Sequence, residues 1–545
     1  MSLQLHNERI RHQFLLQALG VTRKSKATVS NRERSALESL LLGTNAEVVF
    51  LLGVGAVQCI HELLRWVDEK EIRELVMLEE SLEAVNGFLD VPFADMFIEH
   101  PRCSLKVKMP SSTRKEYLEE VAEEFASDAV ECIAFGEMEA FREEYEYQLR
   151  KDASFEYFGL QEDVEYHRLV ENIVGNIPAV SRATLFDNWG KVFDGATVII
   201  CGAGPSLAEH YDVLKKAKDD FPIIAGGSAI ALLTNEGIIP DLGVAVDPNE
   251  TELDRLSELD PKMPLIFSGR LHPGVLKQHS GPVVYYTART GGPFENGIID
   301  ALGLSFDTNE SALFQSTTIA SMCIEVACRL GCNKAILVGF DLAFSGGERY
   351  PKKLPKKFGE VSLPKERSHQ KVLFEPNRHN APVETTVLWK MERDALARLV
   401  AARQEHSFAS LPHDGLVLPG VPFVASLPEE GAPFREKLER AISTNTHAHS
   451  GKIEAYLSKV KKSLACAKGI LERISAEIEK DKPKNPLIDV LLMDLHEEFA
   501  YEIFLKTTMA TLERLIERKI YDFKSLKNKC LYLIKLINTY IDILN

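Results

Sequence analysis

The feature that most constrains the fold is residues 196–207, ATVIICGAGPSL, where a short run of β-branched and apolar side chains stops at a Gly-Ala-Gly-Pro-Ser turn. Val198, Ile199, Ile200 and Cys201 predict a strand buried on both faces, because the run is continuously apolar and glycine ends it. Gly202 and Gly204 permit a tight turn and close backbone approach, and Pro205 suits the first turn of a helix, where its missing N–H costs nothing. A strand running straight into a helix start is the unit of an α/β sheet, and the free amides of that start face whatever lies above the strand. The same pattern also makes a plain strand-to-helix turn, so its meaning depends on the flanking chain.

That flanking chain keeps alternating. Further strands are expected at residues 222–225, 242–246, 264–267, 283–286 and 335–338, with helices at 207–218, 229–236 and 317–330. Gly226-Gly227-Ser228 forms a small-residue turn, the strand at 242–246 closes at Asp247-Pro248-Asn249, and the strand at 335–338 ends in Gly339-Phe340-Asp341. Strands alternating with helices imply a mainly parallel sheet with right-handed crossovers, whose strand ends collect ligands.

On this basis the chain divides into residues 1–165, 166–430 and 431–545. In the first part, EVVFLLGVG at 47–55 reads as a strand entering a Gly-x-Gly turn, followed by a helix and a strand ending at Leu78-Glu79-Glu80. A Rossmann-like module uses an acidic residue there to hold a ribose, yet the full G-x-G-x-x-G is absent, so a structural α/β module is the competing expectation. In the last part, Ile453, Leu457, Val460, Leu464, Ala467, Leu471, Ile474 and Ile478 recur at steps of four and three, marking one long amphipathic helix. A break around residues 482–486 and a second apolar stripe over 512–544 complete a C-terminal helical bundle.

Composition limits the classes of function. A hydrophobic share of 45% is that of folded globular material, and 64 Lys plus Arg against 80 Asp plus Glu gives a formal charge of −16, which argues against a general nucleic-acid binder. The nine cysteines form no CxxC pair, Cys323, Cys328 and Cys332 fall in or just after an expected core helix, and no metal site is expected. The longest apolar run, residues 48–60, is too short to cross a bilayer, so a cytoplasmic protein without a membrane span is expected.

Four segments in order, CGAGPSL at 201–207, GIIPDLGVAVDP at 237–248, GCNKAILVGFDLAF at 331–344, and VETTVLW at 383–389 with GLVLPGVPF at 415–423, resemble the central domain of the motility-associated factor (Maf) glycosyltransferases. The resemblance covers about half the chain. It implies a sialyltransferase-like central domain that transfers a nonulosonic acid, pseudaminic or legionaminic in type, from a CMP donor to Ser or Thr of flagellin or a similar acceptor protein. No cofactor beyond the CMP-activated sugar is then required. The same domain is related to archaeal 6-hydroxymethylpterin diphosphokinases, which implies an alternative in which ATP, Mg²⁺ and acidic ligands such as Asp247 and Asp341 act on a pterin. A third reading is a non-catalytic flagellar or secretion-associated binding protein on the same fold. Neither the sugar, the acceptor nor the oligomeric state is set by these residues.

Read as chemistry, Gly202, Gly204 and Ser206 are placed to bring amides and a hydroxyl to a donor phosphate or ribose, and Gly227, Ser228, Asn249, Ser316 and Thr317 join them as candidate nucleotide-binding positions. Asp247 and Asp341, each at a strand tip, are candidate catalytic carboxylates, although Asp at such a place also caps helices. Transfer to a hydroxyl needs a general base, and the central candidates are His272, His279, His369, His379 and His413. His272 is preferred because it follows the strand-end turn Ser268-Gly269-Arg270. Tyr285, Tyr286 and Tyr350 are candidate phosphate partners. Residues 345–371 hold eight Lys or Arg against three Glu; they form either a cationic loop that attracts an anionic donor or a solvated insertion.

Overall fold

A computed structural model describes residues 45–545 apart from 92–93, 128, 258, 288–289, 305–317, 346, 352–371, 444–449, 481–484 and 518–525. Most of the basic segment 345–371 therefore lies outside the described residues. The described chain falls into two compact units, one ending at Gln161 and one running from Glu162 to the C terminus.

The first unit carries the strands β1 (Val48–Leu52), β2 (Glu74–Glu79), β3 (Cys103–Val107) and β4 (Val130–Ala134). They pair in parallel in the order β3-β2-β1-β4, which is half of a doubly wound nucleotide fold. The turn after β1 packs against the chain that follows β4. A Cβ on Gly53 would come 3.1 Å from the Phe135 carbonyl, and one on Gly55 2.9 Å from the Phe135 side chain, so these glycines admit the chain that follows β4. Glu79, the acidic residue after β2, accepts hydrogen bonds from the amides of Val54 (3.1 Å), Glu80 (2.9 Å) and Ser81 (2.8 Å). Its carboxylate ties the turn to the strand.

The second unit holds an eight-stranded sheet in the order β14-β11-β6-β7-β8-β9-β10-β5, with every pairing parallel. In chain order these are β5 (Thr184–Leu185), β6 (Thr197–Cys201), β7 (Ile223–Gly226), β8 (Leu242–Ala245), β9 (Leu265–Phe267), β10 (Val283–Tyr285), β11 (Lys334–Val338) and β14 (Ser407–Ser410), while β12 (Val372–Pro376) and β13 (Pro382–Thr386) make a separate antiparallel hairpin. The expectation of an α/β fold with parallel sheets holds. Both faces of the sheet are buried, as the unbroken apolar runs require: Ile199 and Cys201 of β6 join one core while Val198 and Ile200 join the other.

The helices used below are α1 (Tyr166–Arg182), α2 (Ser228–Asn235), α3 (Glu250–Arg255), α4 (Pro273–Gln278), α5 (Gly292–Leu302), α6 (Ile319–Arg329), α7 (Val387–Ala402), α8 (Ser450–Ile478), α9 (Pro486–Glu497), α10 (Lys506–Glu517) and α11 (Leu526–Leu544). Among the described residues no helix is long and apolar enough to cross a membrane. The C-terminal helices share one core with the sheet: Ile453, Val460, Leu464 and Leu471 of α8 lie in the same cluster as Ile199 and Phe267. Tyr456 of α8 donates to the carbonyl of Phe294 at 3.1 Å, and its hydroxyl sits where a side chain on Gly297 of α5 would be.

Burying a large aliphatic side chain contributes about 1.5–3 kcal/mol, so losing the α8 stripe removes more than a domain's usual net stability. A chain ended at Ser443 is therefore expected to lose the calorimetric transition of its second unit, leaving at most that of the first. A truncated chain whose second unit still unfolds in a sharp transition of its own would contradict the shared core.

Candidate active site

The sheet reverses its strand order between β6 and β11, since β7 to β10 follow β6 on one side and β11 lies on the other. Two loops meet there. The amide of Gly202 donates to the carbonyl of Val338 (2.8 Å), that of Gly204 donates to Gly339 (2.9 Å), and a Cβ on Gly339, whose φ is +74°, would approach the Gly202 carbonyl to 2.5 Å. The glycines are used for backbone contact between the loops.

Asp341 locks this junction. Only 1% exposed, it accepts from the Ser206 amide at 3.2 Å, from the Ser206 hydroxyl at 2.7 Å and from the Ser345 hydroxyl at 3.3 Å. A side chain on Gly204 would collide with its carboxylate. Its carbonyl accepts from Leu416 (2.8 Å), and the next carbonyl, of Leu342, accepts from the hydroxyl of Thr385 at 2.7 Å. Thus the segments CGAGPSL, GFDLAF, VETTVLW and GLVLPG converge on one aspartate. The donors expected to face a phosphate, Gly202, Gly204 and Ser206, are bonded inside the protein instead, because a fixed carboxylate already occupies the helix start.

Two adjoining clefts open above the strand ends and share Ser228 and Ile319. The larger, about 360 Å³, is lined by Gly227, Asp247, Asn249, Glu252, Arg255 and Arg270 among others. The smaller, about 190 Å³, has Gly202 and Gly204 in its lining together with Arg349, Tyr350, Trp389 and Glu392. The structure therefore brings Gly227, Ser228, Asp247 and Asn249 to one cleft, and Gly202 and Gly204 to the other. Ser206 and Asp341 lie beneath, and Ser316 and Thr317 are outside the described residues.

Asp247 folds back on the turn, accepting from the Asn249 amide at 3.0 Å and side chain at 2.7 Å, and so aims the start of α3 into the cleft. Gly227 turns with φ +47°, and the Glu252 carboxylate rests against it, 3.3 Å from where a Cβ would stand. Glu252 is only 3% exposed; burial, reinforced by the nearby charge of Asp247, pushes its carboxyl up to about 7 against the pull of Arg255, 3.9 Å away. Glu325, paired to Arg403 at 2.8 Å, lines the far wall. Arg270 reaches the Thr290 carbonyl at 3.0 Å and Glu162 at 3.2 Å.

No histidine lines either cleft among the described residues. His272 caps α4, its Nδ1 accepting from the Gly274 amide at 3.2 Å. His279 and His413 are buried, which lowers the affinity of each for a proton; His379 is exposed beside Asp414, and His369 lies outside the described residues. Thr318 caps α6, accepting from the Ser321 amide. Glu252 and Glu392 are the residues that sequence reasoning missed. Glu252 sits one helical turn past a strand tip already singled out, and Glu392 follows Trp389 of the VETTVLW segment by one turn of α7. Burial raises the Glu392 carboxyl, opposed by the Thr318 hydroxyl and Arg349.

As a metal pair, Asp247 and Asp341 do not fit: Asp341 is enclosed by Ser206 and Gly204, whereas Asp247 shares its cleft with Glu252 and with Glu325, the last paired to Arg403. Among the described residues, one group of possible soft-metal ligands, Cys328, Cys332 and His406, lines neither cleft.

Residues 171–347, which include both loops of the junction and most of the larger cleft, match the family model described as 6-hydroxymethylpterin diphosphokinase MptE-like. A 6-hydroxymethyl-7,8-dihydropterin pyrophosphokinase from Methanocaldococcus jannaschii is 31% identical over 112 residues, which is 20% of this chain and 44% of that enzyme. The chain thus spans less than half the length of this curated relative. Among solved structures, a MAf glycosyltransferase from Magnetospirillum magneticum AMB-1 aligns over 98% of this chain and 86% of that one, at 15% identity and a TM-score of 0.49. Both relatives implied by the sequence motifs recur here.

Two outcomes follow from the geometry. Asp341→Ala leaves the buried Ser206 hydroxyl and amide unpaired, and is expected to lower stability in urea titration by about 2–5 kcal/mol; a loss under 1 kcal/mol would contradict the lock. Glu252 binds its proton more tightly folded (about 7) than unfolded (4.5), so its contribution is complete below pH 4.5 and is lost as pH rises to 7. Glu252→Gln is therefore expected to gain stability relative to the parent across that window, on the order of 3 kcal/mol, and a flat difference would refute the buried environment.

Proposed function

We propose that this chain is a transferase that binds a nucleotide-activated donor across the two joined clefts, and that the group moved is a CMP-linked nonulosonic acid delivered to a Ser or Thr hydroxyl of a flagellin-like protein. The observation that carries the reading is the convergence of three of the four Maf-like segments on the β6–β11 switch point, while the other, ending at Asp247-Pro248, lines the larger cleft above it with Glu252. A parallel sheet binds ligands in the crevice where its strand order reverses.

In this reading Arg255 and Arg270 supply positive charge for a donor that carries both a phosphate and a sugar carboxylate. Glu252, poised near neutrality, accepts the proton of the acceptor hydroxyl as its oxygen bonds to the sugar carbon. The bond from that carbon to the phosphate oxygen breaks, and CMP leaves with the electron pair. Asp247 orients the start of α3 and with it Glu252. No metal is required by these steps.

A second reading is favoured by the family match over residues 171–347: diphosphate transfer from ATP to a pterin, with Mg²⁺ held by Asp247 and Glu252. The chain covers 44% of the pterin enzyme it resembles, so that activity belongs here only as an alternative.

Thermal-shift titrations with CMP, CDP, UDP, ATP and GTP, with and without Mg²⁺, separate the readings. The expected result is stabilisation by CMP without metal, on the order of 2.7 kcal/mol at a hundredfold excess over Kd, and its loss in Asp247→Ala. Stabilisation by ATP only with Mg²⁺ would replace the glycosyltransferase reading with the pterin one. In a transfer assay with CMP-nonulosonates, Glu252→Gln is expected to lower kcat by roughly a hundredfold to ten-thousandfold with KM little changed. An unchanged kcat would remove Glu252 from the role of base.

A further inference from the structure

The smaller cleft has a chemistry of its own that the transfer step does not use. Gly202, Gly204 and Gly226 are in its lining, each packed closely against neighbouring protein. Its walls carry the aromatic rings of Tyr350 and Trp389, with Phe344 packed on Trp389 at 4.7 Å between centroids and holding that ring in place. The Arg349 guanidinium lies 5.3 Å from the Tyr350 centroid and 5.7 Å from that of Trp389, completing a set of planar groups. Among the described lining residues Glu392 is the one carboxylate, and it is set a helical turn beyond Trp389 on α7. At about 190 Å³ the cleft suits a heterocycle rather than a whole nucleotide sugar, and Ser228 and Ile319, shared by both linings, join it to the larger cleft.

Planar π-faces hold any heterocycle by stacking, with little discrimination. A carboxylate adds discrimination, because it can only accept hydrogen bonds: it pairs with an exocyclic amino group and repels a carbonyl oxygen at the same position. We propose that the smaller cleft is the base-recognition subsite of this transferase and that Glu392 selects heterocycles bearing an exocyclic amino group over their oxo counterparts. The inference rests on the proposed reading in taking the cleft to be part of the donor or acceptor site, and for a CMP donor the selected group is the cytosine amino group. Burial raises the Glu392 carboxyl, against the pull of the Thr318 hydroxyl and Arg349, so selection by the charged form is to be read on the alkaline side.

The test uses the full chain and matched pairs of probes that differ only by amino against oxo: CMP and UMP, AMP and IMP, 6-hydroxymethylpterin and 6-hydroxymethyllumazine. Calorimetric titration at pH 8 is expected to give one pair whose amino member binds roughly tenfold to a hundredfold more tightly. Glu392→Gln, whose amide serves either partner, is expected to bring that ratio to near one while binding of the oxo member persists. If the favoured pair is CMP and UMP, both the inference and the CMP reading stand; if it is the pterin pair, the inference stands and the CMP reading falls. CMP binding with no preference within any of the three pairs, or a ratio unchanged in Glu392→Gln, overturns the role of Glu392 and leaves the CMP reading intact. Binding of none of the probes overturns both.

Discussion

Everything above the large sheet depends on one buried carboxylate. Asp341 holds the start of the helix after β6 through Ser206, and its main chain holds the segment at Leu416. The cost of burying that charge is met by donors placed around it, and the short helix it caps gains an anion where its free amides need one. Ser206, expected to bind nucleotide, and Asp341, expected to be catalytic, are bonded to each other in this arrangement. A phosphate at the same spot would have to displace a carboxylate that is tied on several sides.

The consequence for the proposed chemistry is that its groups are assigned to the side of the glycine turn. Asp247 and Glu252 come from the β8–α3 connection, where one carboxylate shapes the backbone and the other is buried beside it. Two carboxyl groups in one cleft with different surroundings divide their tasks, since the buried one holds its proton to higher pH. This is the physical reason that, in the proposed reaction, proton transfer is placed on Glu252 rather than on His272, a helix cap, on His279 or His413, buried in the packing, or on His379, at the surface.

Much of the fold was legible in the sequence. Runs such as VIIC before Gly202 and AILV before Gly339 are continuous because both faces of a parallel strand are covered, and their positions hold to within a residue or two. The hairpin of β12 and β13 was not legible: its side chains are largely exposed and follow the mixed segment 345–371, so no apolar pattern marks it. At the N-terminal Gly-x-Gly turn the residues left a ribose-binding and a structural module open, and Gly53 and Gly55 pack against Phe135, far away in sequence, which no local pattern marks. Glu252 and Glu392 were hidden for a related reason, because what distinguishes them is burial in a cleft, and a single glutamate on a helix carries no mark of that.

The central claim is that a nucleotide lies across the two clefts at the β6–β11 switch point. Hydrogen exchange of the full chain with and without saturating CMP, and with ATP and Mg²⁺, tests it most directly. The account predicts slowed exchange confined to residues 202–207, 226–229 and 247–252 on binding of one of these ligands. Slowed exchange around residues 53–60 of the N-terminal unit instead, or binding with no change at the switch point, would contradict it.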